Sequence, residues 1–214
     1  MLRWIVDITH PLASLFSSVE GAALAVVSSV DGALSGRRVH VLATTGSVGG
    51  IHRALGRLVD VGIVSAESTS HATLYRANRQ HLLWPAIEAA LSARLRFEQR
   101  IVETTESLGT DGFSVALFGS VARGDSNASS DIDVLVVHPD DAPAEQVNAL
   151  VDSLLDQIPA WTGNQTQVLP LSRTHLTQLA RSGDPLGDTL RADHRLLIGP
   201  PLKPLLERTT VGAP

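Results

Sequence analysis

Asp131 and Asp133 stand one residue apart at the head of the apolar run Ile132–Val137. Alternation along a strand puts both carboxylates on one face, where they repel unless a cation lies between them. Oxygen ligands in a chain without cysteine suit Mg²⁺ or Mn²⁺, and Mg²⁺ commonly takes one or two carboxylates plus substrate phosphates. A second apolar run, Val115–Phe118, ends at Gly119-Ser120, and ten residues separate Ser120 from Asp131. Gly119 lets backbone approach a phosphate closely, and Ser120 offers a hydroxyl and an N–H where a short turn or helix begins. Metal and triphosphate would meet at one edge of a sheet.

The stretch from Phe118 to Val134, with Arg123-Gly124 in its turn, resembles the Gly-Ser-x10-Asp-x-Asp signature of the polymerase-beta-like nucleotidyltransferases, in particular the minimal ones. The resemblance implies that Gly119 and Ser120 hold the triphosphate, ATP being expected, and that Asp131 and Asp133 hold the metal. Arg123 is expected either to offset phosphate charge or to form a structural salt bridge. The implied reaction is attack of an acceptor hydroxyl on the alpha-phosphate with loss of pyrophosphate. Active members carry a third carboxylate on the next strand. Here that strand reads Gln165-Thr166-Gln167-Val168-Leu169, so Gln167, or else Gln165, stands where the acid belongs. A neutral amide takes no proton and is a weak Mg²⁺ ligand, so transfer is expected to be weak or lost.

The elements that must position these residues fill a chain of 214 residues, suited to one large or two small domains. Hydrophobic residues make up 43%, enough for real cores, and the absence of cysteine excludes disulfides and thiolate metal sites. No signal-like segment or membrane-length apolar run is present, so a cytoplasmic protein is expected. The net charge of −5 is uneven. Residues 1–85 hold seven Arg against five acids, and residues 86–214 ten Lys or Arg against seventeen acids. The first part is therefore the better candidate to face nucleic acid. The eight histidines form no ligand pair at helical spacing.

Residues 1–11 carry a short apolar patch suited to an extra strand or a dimer contact. Helices are expected over 20–30, from 35 to 43 with Val39, Leu42 and Ala43 inward, and over 48–61 behind an N-cap at Ser47. Ile51, Leu55, Leu58 and Val59 form the stripe of the third. Two strands, 63–66 and 73–77, follow. This order is that of a winged helix-turn-helix, and residues 47–64 resemble the recognition helix and wing entry of ArsR/MarR-type regulators. Duplex DNA is the implied partner, with Ser47, His52, Arg53 and Arg57 on the third helix and Arg76 on the wing as candidate contacts.

The domains are thus a winged helix over 12–84, a linker helix over 85–110 and a nucleotidyltransferase domain over 111–201, with a tail at 202–214. In the linker helix Leu91, Leu95, Ile101 and Val102 are expected inward, with Arg94, Arg96, Glu98 and Arg100 in water. A later helix, with Leu154, Leu155 and Ile158 inward, is expected to stop at Pro159. The Asp193–Gly199 segment resembles the family's Asp-x-x-x-Leu-x-Gly tail. The fold class is α/β in the α+β sense, with a small mixed sheet. The function read from this is a DNA-binding regulator with a nucleotide- and Mg²⁺-binding domain, expected to be a homodimer. The alternative is an active transferase acting on a partner protein, such as a HEPN-type toxin, or on a small-molecule hydroxyl.

Overall fold

The structure, a computed structural model, describes residues 5–43, 45–127 and 129–207. They form two compact units, one of residues 10–94 and one of residues 5–9 together with 95–207. The chain therefore begins in the second unit, leaves it for the first and returns. Residues 1–4 of the N-terminal apolar patch lie outside the described residues. Within the patch, Val6 donates its N–H to Thr162 O at 2.9 Å and Ile8 is buried in the second unit's core.

The first unit opens with a 3₁₀ turn, Pro11–Ser14, followed by helix α1 (Ser18–Ser28), the two-residue strand β1 (Leu34–Ser35) and helices α2 (Gly36–Ala43) and α3 (Val48–Asp60). Strands β2 (Val64–Ser68) and β3 (Thr73–Ala77) and helix α4 (Trp84–Leu91) complete it. Helix α1 starts two residues before the hydrophobic pattern does, because Ser17 and Glu20 form a reciprocal capping box. Ser47 caps α3, its hydroxyl accepting from Gly50 N at 3.1 Å. The strands pair antiparallel in the order β1-β3-β2, with Leu34 opposite Tyr75 and Val64 opposite Ala77. Leu24, Val27, Val39, Ile51, Leu55 and Leu58 build the core between helices and hairpin. Leu42, expected inward, is 41% exposed; α2 is two turns long, and its Gly36, Val39 and Ala43 take the inward face.

One residue, Ser92, separates α4 from helix α5 (Ala93–Ser107), so the single helix expected over 85–110 is two. Ser92 Oγ donates to the Glu88 carbonyl at 2.8 Å, a back-bond that competes with helix continuation. Strand β4 (Ser114–Phe118), helix α6 (Gly119–Arg123), strand β5 (Ile132–His138), helix α7 (Ala144–Thr162) and strand β6 (Thr166–Ser172) follow. Helices α8 (Arg173–Ser182) and α9 (Pro185–Asp193), strand β7 (Arg195–Ile198) and helix α10 (Lys203–Leu206) end the described chain. The sheet order is β6-β5-β4-β7; β5 runs parallel to β6, and the other pairs are antiparallel. The mixed α+β architecture is the one expected.

The two faces of β5 bury different cores. Ile132, Val134 and Val136 pack with Phe97 and Ile101 of α5 and with Leu150, Leu154 and Ile158 of α7. Leu135 and Val137 pack with Leu176, Leu190, Leu202 and Leu206 from α8, α9 and α10. Burial on both faces is why β5 reads as a continuous apolar run. Three expectations change here. Helix α7 runs through Pro159 to its C-cap Gly163 (φ 73), whose N–H donates to Pro159 O at 2.7 Å; Pro159 forfeits the bond that an N–H there would make to Leu155 O. Leu155 is 41% exposed, leaving the inward face of α7 to Leu154 and Ile158. Glu98 is buried rather than in water, because β7 brings Arg195 to it at 2.8 Å, while Leu95 is 56% exposed. No helix among the described residues is long and apolar enough to cross a membrane.

Strand β7 closes through Gly199, at φ +94, where an added Cβ would lie 1.9 Å from the Phe113 carbonyl oxygen. Gly199→Ala should therefore cost about 3 kcal/mol or more, combining backbone strain with a backbone clash. Gly32→Ala, with nothing within 4 Å of its added Cβ, should be near neutral. Urea midpoints of the two variants decide this; equal midpoints would mean the Gly199 turn relaxes freely.

Candidate functional site

Three strand ends converge. Antiparallel pairing sets Phe118, the last residue of β4, opposite Asp133, and parallel pairing sets Asp133 beside Gln167. Partners directly across a sheet share a face, so Asp133 and Gln167 lie on the face that carries Leu135 and Leu169 farther along. Asp131 sits just before β5, and Gln167 Nε2 donates to its Oδ2 at 3.4 Å. Gln167 is thus in register with Asp133 and bonded to Asp131, and Gln165 lines the same cavity as Asp131.

Gly119 occupies the corner between β4 and α6. Its φ is +68, and an added Cβ would stand 2.5 Å from Asp133 Oδ2. Both the left-handed backbone and the close carboxylate demand glycine. Buried Val121 fixes α6 from beneath, and Ser120 O accepts from Gly124 N at 3.0 Å and Asp125 N at 3.1 Å. Asp133 is half-buried. Its pKa is raised above the ordinary 3.8, first by burial and then by the charge of Asp131, with Arg123 acting in the opposite direction.

Arg123 turns outward from this corner. Its Nε donates to Asp125 Oδ2 at 3.0 Å and its Nη1 to Asp193 Oδ2 at 2.9 Å.

Several supporting residues were not foreseen. Asn164 is buried, and its Nδ2 donates to Ser130 O at 3.0 Å, fixing the residue before Asp131. The Ile132 N–H donates to Gln165 O at 2.8 Å. Ser126 is buried in the loop before Asp131 and shares a hydrogen bond with the Thr9 hydroxyl. Asp131, Asn164, Gln165, Thr166 and Gln167 line a cavity of about 400 Å³ beside the carboxylates. Asp193 had a sequence signal in the Asp193–Gly199 segment. Thr9 had none, since its partner lies 117 residues away.

In the first unit the candidate nucleic-acid residues have varied surroundings. Ser47 spends its hydroxyl on the α3 cap. His52 lies over Gly36 of α2, where an added Cβ would meet its Cε1 at 2.7 Å. Arg57 Nε donates to Glu20 Oε1 of α1, and the Ser17 hydrogen bond first, then this pairing, hold the Glu20 carboxyl below its ordinary value. Arg53 and Arg76 are exposed. Arg37 and Arg38 of α2, not foreseen as contacts, are exposed as well.

Residues 98–171, about a third of the chain, match the family model described as a nucleotidyltransferase domain. No curated protein matches the chain. Among solved structures, one described as a toxin–antitoxin with AMP-PNP is 19% identical, with a TM-score of 0.34, over 48% of this chain and 73% of that one. A substituted MntA–HpeT toxin–antitoxin is 18% identical, with a TM-score of 0.37, over 51% and 79%. TrmBL2, described as an archaeal chromatin protein with a novel mode of DNA binding, is 13% identical, with a TM-score of 0.27, over 80% and 68%. The segment from β4 to β6 that carries Gly119, Ser120, Asp131, Asp133 and Gln167 thus lies within the residues that match the nucleotidyltransferase model.

The carboxylate pair should cost stability when no cation is bound. Because the folded-state pKa of Asp133 is raised, its ionised form disfavours folding. The penalty is fully present above the raised pKa and is relieved as pH falls through it towards 3.8. Asp133→Asn should accordingly raise the Tm of the protein in EDTA at pH 7, with a gain that shrinks towards pH 4. A gain that is absent at pH 7, or constant across this range, would contradict the raised pKa.

Proposed function

We propose that this protein is a DNA-binding regulator whose nucleotidyltransferase domain binds a nucleoside triphosphate with Mg²⁺ and transfers nucleotidyl groups slowly or not at all. The observation that carries the second half is Gln167 standing 3.4 Å from Asp131 and in register with Asp133. The donor set fits one hard cation. Asp133, its pKa raised first by burial and then by the charge of Asp131, faces the Cβ-free corner at Gly119. Asp131 and Asp133 would hold Mg²⁺, and Gly119 and Ser120 would receive the phosphates of ATP. The metal supplies charge neutralisation to the triphosphate. With an amide in place of a third acid, no side-chain base stands beside the attacking hydroxyl.

The regulator half rests on the first unit's element order, which is that of a winged helix-turn-helix. Helix α3 would enter the major groove and the β2–β3 hairpin would act as the wing, with a dimer reading a two-fold site. Support comes from the excess of Arg over acids in residues 1–85 and from exposed Arg53 and Arg76. Arg57, paired with Glu20, would reach DNA only by exchanging that partner. The intact Gly119, Ser120, Asp131 and Asp133 set favours a second reading, an active transferase acting on a partner protein such as a toxin or on a small-molecule hydroxyl.

Isothermal titration with a non-hydrolysable ATP analogue tests the nucleotide site. Binding should require Mg²⁺ and disappear in the Asp131→Asn, Asp133→Asn double variant; equal affinity with and without Mg²⁺ would place the ligand elsewhere. Gln167→Glu should raise nucleotidyl transfer by about 10²-fold or more, the scale of general-base help. Wild-type turnover that the substitution leaves unchanged would favour the active-enzyme reading. Arg53→Ala should weaken duplex binding and flatten its salt dependence. Wild-type protein that binds its own upstream region no better than random duplex would remove the regulator half.

A further inference from the structure

We propose that the groove between α5 and the outer edge of β7 is a docking site for an extended, basic segment of a partner protein, which adds to the four-stranded sheet as a further strand. The groove lies apart from the candidate nucleotide site: β7 is one edge of the sheet, and β6, which carries Gln167, is the other. Neither the nucleotide reading nor the DNA reading enters it.

Strand β7 pairs with β4 on one side, Leu117 opposite Arg195 and Ala116 opposite Leu196, and among the described residues no strand lies on its other side. Its outer edge therefore presents backbone N–H and C=O groups in a row, the template to which an extended peptide adds. Proteins blunt such edges with a lysine, a proline or a covering element. Residues 196–198 read Leu-Leu-Ile, and the guanidinium at the head of the strand, that of Arg195, is held by Glu98 of α5 at 2.8 Å. Between this edge and α5 lies a groove of about 560 Å³.

One face of α5 lines the groove, with Leu95, Val102 and Glu106 seven and four residues apart and Glu103 beside them. Across from them stand Leu196 and Leu197, both half-buried. Leu95, Glu103 and Glu106 are exposed. Because Arg195 is already paired, Glu103 and Glu106 set the sign of the groove. Arg100 is on a different face of the helix, over the Trp161 ring of α7 at 5.4 Å from its centroid.

This lining names the chemistry of the occupant. A negative groove repels phosphates, which argues against nucleic acid and nucleotides. Long basic side chains suit it, their stems covering Leu95 and Val102 while their charged heads meet Glu103 and Glu106. Side chains alternate across a strand, so every second residue of the segment faces α5, and Lys or Arg is expected there. Leu95 to Glu106 spans about 16 Å along the helix, which four or five extended residues cover. A second copy pairing β7 with β7 about a two-fold axis would bring the acidic faces of two α5 helices together, so a partner of opposite charge is favoured.

Calorimetry on the full-length protein compares two heptapeptides, one alternating Arg with Val and one alternating Glu with Val. The Arg-Val peptide should bind, more weakly as salt rises, and the Glu-Val peptide should not. Glu103→Lys combined with Glu106→Lys, at exposed positions and checked for an unchanged Tm, should weaken the Arg-Val peptide on the order of tenfold. Hydrogen exchange with mass spectrometry separates strand addition from adsorption to surface acids. Bound peptide should slow exchange of amides 195–198 on the order of tenfold and leave those of β6 unchanged. No binding of the Arg-Val peptide, equal binding of the Glu-Val peptide, equal binding by the charge-reversed variant, or unprotected amides 195–198 overturns the docking site. Two further results overturn it by giving the groove to another occupant. Protection of amides 195–198 that grows as the protein alone is concentrated into a dimer assigns it to a second copy. Tighter peptide binding after truncation at Glu207 assigns it to residues 208–214.

Discussion

The carboxylate of Asp133 stands against the main chain of Gly119, so close that a Cβ there would fall 2.5 Å from an oxygen. Much of the second unit follows from this approach. It requires β4 and β5 to be antiparallel neighbours with Phe118 opposite Asp133. It requires the chain to leave β4 through a left-handed residue. It also requires α6 to be held down, by Val121 below and by the Arg123 ion pairs outside. The same approach denies Asp133 the solvation an exposed strand end would give it, which is why burial leads the causes of its raised pKa.

The electrostatics of the carboxylate pair are unbalanced. Asp131 adds its charge to an already desolvated Asp133, and the nearest guanidinium is turned towards Asp125 and Asp193. Such a pair disfavours folding on its own, and a cation between the carboxylates would relieve it. Gln167 is the one neutral member. It can donate to Asp131 and so relieves some repulsion, but it adds no charge for a second metal and no base.

The path of the chain adds a second constraint. Residues 5–9 and 95–207 build one unit, and residues 10–94, which lie between them in sequence, build the other. The early segment is integral to the later fold: Val6 bonds to Thr162, Ile8 enters the core and Thr9 meets Ser126 in the loop before Asp131. The first unit is thus joined at both of its ends to segments of the second, and one of those segments touches the loop that carries a candidate metal ligand.

The sequence alone determined the parts whose information is local. Two apolar runs, a Gly-Ser pair and an Asp-x-Asp at fixed spacing name two strands, a turn and a pair of carboxylates, because period-2 alternation and glycine's freedom at positive φ are properties of short segments. The helices and hairpin of the first unit were legible for the same reason, and Ser47 announced its cap. Tertiary structure decided what depends on distant partners. Parallel pairing of β5 with β6 set Gln167 beside Asp133, and a side-chain hydrogen bond joined it to Asp131. Burial of Glu98 needed Arg195 from a strand that the sequence reading did not recognise, a four-residue edge stabilised by pairing with β4 rather than by its own pattern. Pro159 did not stop its helix, which Gly163 ends instead in a left-handed cap. Asp193 and Thr9 reach the site only because folding closes gaps of seventy and more than a hundred residues, and no local pattern encodes such a closure.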